Sequence, residues 1–186
     1  MQKSKNQFEK GYVAPLVLFL TIAGMAMVTL IIETGLMMQT RTQLNNGVEL
    51  AVSGGAHAYG KHYKKAVAEE YLAVKDEAEL EAIAEAATMS PPPSPEELAE
   101  MVKEKAREKV KEKQGAFQSE ARVRCKETAV SLLKAHTINP VQVDCTDTQI
   151  SVEGSKDYYQ TFTNVFLGGG STFRERAAEK IILAQE

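Results

Sequence analysis

Two cysteines, three histidines and a Glu-rich middle are the residues of this chain best equipped for chemistry. Cys125 falls near the end of a predicted helix and Cys145 on a predicted strand, twenty residues apart. Outside the cytoplasm an even pair of cysteines reads as one disulfide, and two buried free thiols is the alternative. His57 and His62 are five residues apart, about 140° around a helix, so they do not share a metal-binding face. His136 stands alone near a helix end, and all three read as ordinary surface histidines. There is no G-x-S-x-G, no Walker loop and no H-E-x-x-H. Gly168-Gly169-Gly170 lacks the lysine and helix start of a phosphate loop. The many carboxylates have no predicted apolar pocket that would shift their protonation. The formal charge of -3, with Glu interleaved among the lysines, argues against a nucleic-acid partner. The expectation is a non-enzymatic protein with no catalytic residue, cofactor, metal or small-molecule substrate.

The elements that would position these residues are unevenly distributed. The bulky apolar residues of the first third lie in one uncharged run of twenty, Val13 to Ile32. As a helix it is about 30 Å long, the thickness of a bilayer core. Pro15 falls in its first turn, where a missing N–H costs little. Lys3, Lys5 and Lys10 precede the run, Glu33 closes it and Arg41 follows eight residues later. The positive-inside rule then puts residues 1–12 in the cytoplasm, 13–32 in the inner membrane and 33–186 beyond it. A cleaved signal peptide has a shorter apolar region and a small-residue site close behind, whereas the nearest A-x-A here, Ala56-His57-Ala58, lies far downstream.

Beyond the span, 33–58 reads as a stalk helix, with bending expected near Ser53-Gly54-Gly55 because each glycine weakens a helix by about 1 kcal/mol. Residues 59–135 form a charged helical region. An Ala/Glu-rich helix over 59–88 meets the proline hinge at 91–95, and a second helix starts at a Ser94–Glu97 capping box and runs to about Ala135. Its stripe of Leu98, Val102, Ala106 and Val110 is expected to pack back on 59–88 as a helical hairpin. Glu100–Lys103, Glu104–Arg107 and Glu108–Lys111 have the spacing of surface i,i+3 ion pairs. The last part, 136–186, changes period. Val141, Val143 and Cys145 alternate, as do Ile150 and Val152, predicting two strands joined at Thr146-Asp147. Asp157 to Leu167 suits a helix or a strand. Residues 171–183 read either way, with a third strand preferred because two alone are marginal. The fold class expected is α+β: a long N-terminal transmembrane and stalk helix, a helical hairpin, and a small C-terminal antiparallel sheet.

Glu9-Lys10-Gly11, the apolar run, Glu33-Thr34-Gly35, Arg41-Thr42-Gln43-Leu44-Asn45-Asn46 and Leu50-Ala51-Val52-Ser53-Gly54-Gly55-Ala56 follow one another in order. This resembles the N-terminal segment of TadE/TadG-like proteins of the Flp (Tad) pilus-assembly system. There an apolar helix ends in acid-x-Gly, followed by an Arg…Gln-Leu-Gln motif and an Ala-rich stretch. Ile150–Val152, Phe162, Leu167-Gly168 and Ala177-Ala178 resemble the family's C-terminal layout. Glu33 and Glu49 stand where the family usually has Asp, and the charged stretch 60–120 has no counterpart in it. The resemblance implies a pilin-like component, of minor-pilin or pseudopilin type, whose partners are the lipid bilayer and other pilin-like subunits or Tad apparatus proteins. Gly24, Ala26, Glu33, Gly35, Gly47, Gly54 and Gly55 are the helix-packing candidates, the small ones because they admit close helix contact. The alternative is a bitopic envelope protein unrelated to pili, using the 59–135 hairpin as a coiled-coil interaction arm.

Overall fold

The architecture is α+β, built on one helix of unusual length. In the computed structural model, residues 5–158 and 171–181 are described, with side chains from residue 13 onward. Helix α1 spans Lys5–Ala86, 82 residues, or about 123 Å at 1.5 Å per residue. Helices α2 (Pro95–Glu112) and α3 (Gln114–Ala135) follow, then strands β1 (Asn139–Cys145), β2 (Gln149–Tyr158) and β3 (Ser171–Lys180). The strands form one antiparallel sheet in the order β1-β2-β3. Val143 faces Val152 in the first pairing, and Val152 faces Ala177 in the second.

Span, stalk and the helix over 59–88 are thus one element, which runs without interruption through Ser53-Gly54-Gly55, where bending is expected from the sequence. The reason is packing. Gly47 and Gly54, two turns apart, lie nearly one above the other on α1, Gly55 stands about 100° around from Gly54, and all three are covered by α3, the sheet or the link between them. A Cβ on Gly47 would overlap Ile138 Cδ1, one on Gly54 would overlap Leu132 Cδ1, and one on Gly55 would overlap Ile150 Cδ1. The propensity lost at these glycines is offset by apolar surface brought closer to the helix axis.

The chain folds into two apolar clusters at different heights along α1. The larger makes the head. Leu44, Val48, Ala51, Val52 and Tyr59 of α1 meet Ala121, Cys125, Ala129 and Leu133 of α3, Ile138 just before β1, and Cys145, Ile150 and Val152 of the sheet. The smaller makes an arm, where Val74 and Ala78 of α1 meet Ala106 and Val110 of α2. This is the expected hairpin, and Val102 packs against it as its stripe predicts. The arm ends at the Pro91–Pro93 run. α2 restarts on the expected capping box: Ser94 Oγ accepts from the Glu97 N–H at 3.3 Å, and Glu97 Oε2 accepts from the Ser94 N–H at 2.7 Å.

The single helix expected from Pro95 to Ala135 is instead two, interrupted at Lys113. A row of side chains four apart drifts about 40° around a helix at each step, so no such row can face α1 for forty residues. The interruption restarts the buried row at Ala121, Cys125, Ala129 and Leu133. Of the three i,i+3 pairs, Glu100–Lys103 forms at 2.7 Å, while Glu104–Arg107 and Glu108–Lys111 are not among the ion pairs of the described residues. The arm's charges cross between helices instead. Lys105 reaches Glu85 at 2.6 Å, Lys109 reaches Glu81 at 2.7 Å and Glu77 at 3.1 Å, and Lys113 reaches Glu70 at 2.7 Å. The third strand is present at Ser171–Lys180. Of the segment Asp157–Leu167, Asp157 and Tyr158 end β2 and the rest lies outside the described residues, as do Phe162, Leu167 and Gly168.

Candidate membrane anchor and its junction with the head

The apolar part of α1 stands clear of the fold. Its most apolar stretch is long and apolar enough to cross a membrane, and none of it is buried. Phe19 is 70 % exposed and Ile31 71 %. Large apolar side chains point outward on every side of the helix: Leu16, Val17, Leu18, Phe19 and Leu20 follow one another, all exposed. A core helix of a soluble protein would bury one stripe, whereas a helix apolar all round needs apolar surroundings on all sides. The few polar side chains are already satisfied. Thr21 Oγ1 donates to the Val17 carbonyl at 2.8 Å, and Thr29 Oγ1 to that of Met25 at 2.9 Å. That self-sufficiency is what hydrocarbon demands of any group it surrounds.

At the end of the apolar run the helix meets the sheet. Glu33 is buried, and its carbonyl accepts a hydrogen bond from the Tyr158 hydroxyl at 3.1 Å. Tyr158 is itself buried and leans on Phe173, ring centroids 6.2 Å apart. The head therefore begins where the apolar run stops. Higher on the head, Lys156 Nζ donates to Gln43 Oε1 at 3.2 Å.

The far side of the head is held by two devices that join α1, α3 and the β1–β2 turn. Cys125 and Cys145 lie within disulfide distance, Cα atoms 6.5 Å apart, inside the usual range. Beside them Asp147 accepts from the Tyr59 hydroxyl at 2.8 Å and from Arg122 Nε at 2.8 Å, and its second oxygen pairs with Arg122 Nη2. The Arg122 guanidinium holds the Asp147 carboxyl below its ordinary range, and the Tyr59 hydrogen bond acts the same way against the opposing effect of burial. Burial, then the bond to Asp147, pushes the Tyr59 phenol up, so it stays a neutral donor. Reading the sequence missed this cluster, treating Asp147 only as a turn residue. A signal existed: Arg122 precedes Cys125 by three and Asp147 follows Cys145 by two, so the disulfide itself carries them together.

The helix-packing candidates divide. Gly47, Gly54 and Gly55 pack inside the chain, against α3 and the sheet. Gly24 and Gly35 have no atom within 4 Å of where a Cβ would sit, and Ala26 is exposed. Glu33 marks the junction. His57 and His62 line different cavities, and His136 caps the end of α3. Among the described residues no three His, Cys, Asp or Glu side chains gather as metal ligands. No protein-family model, curated protein or solved structure matches this chain.

Proposed function

We propose that this chain is a single-pass, membrane-anchored, non-enzymatic structural component of a bacterial Tad/Flp pilus or a related secretion apparatus. Its role is that of a minor pilin or pseudopilin. The N-terminus is cytoplasmic, and the head and arm lie in the periplasm or outside the cell. One observation carries the anchor: a twenty-residue helix apolar on every side, wholly unburied, continuous with a helix locked into a folded head. Membership in the apparatus rests on the residue pattern from Glu9 to Ala56. Assembly proceeds through the apolar helix, where Gly24, Ala26 and Gly35 are the small positions the fold leaves open to another helix. The test is co-purification from detergent-solubilised membranes, with mass spectrometry of the partners and of the mature N-terminus. Specific recovery of the apparatus ATPase, platform or other pilin-like subunits supports the reading. Recovery of the intact chain with none of these sinks it.

The second reading, a bitopic envelope protein that works through its arm, is favoured by one feature. The α1–α2 hairpin has its own core and ion pairs, and Leu72, Leu80 and Ile83 remain exposed on its outer side. Deleting residues 69–112 distinguishes the two, since the second reading requires every partner to be lost and the first requires the apparatus partners to remain.

A further inference from the structure

On the arm, Lys103, Lys105, Lys109 and Lys113 each reach a carboxylate, while Lys75 and Lys111 take part in no ion pair of the described residues. Lower on α1, the stretch between Glu49 and Glu69 has no acidic residue but carries His57, Lys61, His62, Lys64 and Lys65. Lys65 finds Glu69 at 3.6 Å. Lys61 and Lys64 do not take part in the ion pairs of the described residues, and neither does Lys180 at the end of β3. These three lysines line one cleft of about 450 Å³ between α1 and the end of β3, together with Ser53, His57 and Gly60. Glu179 is the single carboxylate on its wall.

Three ammonium groups that take part in no ion pair among the described residues line one cleft from two elements, so a multivalent anion placed between them would gain from all three at once. Lys61 and Lys64 are i,i+3 neighbours, with Cβ atoms about 5–6 Å apart, and Lys180 approaches from the other side. We propose that this cleft binds a compact anion carrying several charges, of the oligophosphate class, with Lys61, Lys64 and Lys180 as its ligands. Lysine ammoniums act as point charges, which suits phosphate, whereas the flat fork of arginine that matches paired carboxylate oxygens is absent from the cleft. A headgroup of the bilayer that holds the anchor is not the ligand. Ser53 and Lys64 lie twenty and thirty-one residues beyond Glu33, about 30 and 47 Å along the helix, several Debye lengths from that surface. Gly60 keeps the floor open, since a Cβ there would meet nothing within 4 Å.

The test uses the full chain in detergent and inorganic tripolyphosphate as probe, by titration calorimetry at about 150 mM salt. Three variants are compared: Lys61→Gln/Lys64→Gln/Lys180→Gln, the charge-matched control Lys75→Gln/Lys111→Gln/Lys126→Gln, and Gly60→Leu. The last keeps every charge and fills the floor. Saturable 1:1 binding that weakens at least tenfold in the first triple and in Gly60→Leu, but not in the control, is the expected result. Equal weakening in both triples would mean a diffuse charge effect, and no saturable binding by the wild type would mean no site; either overturns the proposal. Circular dichroism and an unchanged melting transition in each variant separate loss of the site from loss of the fold.

Discussion

Gly55 shows how one hydrogen in place of a methyl decides whether α1 can host the head. A Cβ there would meet Ile150 Cδ1, and also the Cys125 carbonyl oxygen at 3.3 Å and Ala129 Cβ at 3.4 Å, which cannot rotate away. At Gly54 the nearest obstacle is the end of the Leu132 side chain, which can. Gly55→Ala should therefore cost about 1–3 kcal/mol through overpacking. Gly54→Ala should lie within about 1 kcal/mol of wild type, because helix propensity rises as Leu132 shifts. Urea denaturation of the detergent-solubilised chain compares them, and equal effects would remove the close-packing argument. Asp147 is the charged counterpart. Its folded protonation constant lies below the unfolded value of about 3.9. Its contribution is thus complete above that value and disappears as pH falls through the folded value. Asp147→Asn should lower the melting temperature at neutral pH and flatten the decline below about pH 4. An unchanged acid limb would show that the Arg122 pair contributes nothing measurable.

At the scale of elements, the head and the arm share α1 but not a core. Val74, Ala78, Ala106 and Val110 form a cluster separate from that of the head. Local stability can then differ between them. Ala78→Asp, which buries a carboxylate against Ala106, should destabilise the arm by about 3 kcal/mol. Hydrogen exchange should rise across 67–112 and stay unchanged at β2 and α3. A rise throughout would mean one cooperative unit. The disulfide works on the head alone. Closing twenty residues removes about 3 kcal/mol of unfolded-state entropy on the chain-entropy view. Cys145→Ser should lower head stability by a comparable amount and leave arm exchange near wild type. Intact mass after alkylation without reductant checks the bridge directly, and two modified thiols would refute it.

For the whole molecule, the head starts at Glu33, so the apolar run has no room to slide into it. For the proposed anchor, insertion depth would be set by where Tyr158 meets the helix. Ala26→Arg, near the middle of the run, should cost about 2.5–3.5 kcal/mol of insertion on translocon scales and deplete the membrane fraction. Normal membrane yield and normal assembly would exclude the anchor as described. With the lysines preceding the run, a C-terminal alkaline phosphatase fusion should be active and a cytoplasm-dependent reporter silent. The reverse pattern would invert the topology.

The apolar run, the capping box at Ser94, the hairpin stripe, the strand alternation and the cysteine pair could all be read from local pattern, because each depends on residues a few positions apart or on one even count. The extent of α1 could not. Three glycines signal a weakened helix when propensity is all that is visible, and only the approach of Ile138, Leu132 and Ile150 shows that the same glycines hold it in place. The charge pairing was decided in the same way. Glu104 and Glu108 have Arg107 and Lys111 at the right local spacing, yet the ion pairs among the described residues are those that Lys105 and Lys109 make across to Glu77, Glu81 and Glu85 of α1. The Tyr59–Asp147–Arg122 cluster joins residues 25 and 88 positions apart, and a pattern of near neighbours carries no information at that range.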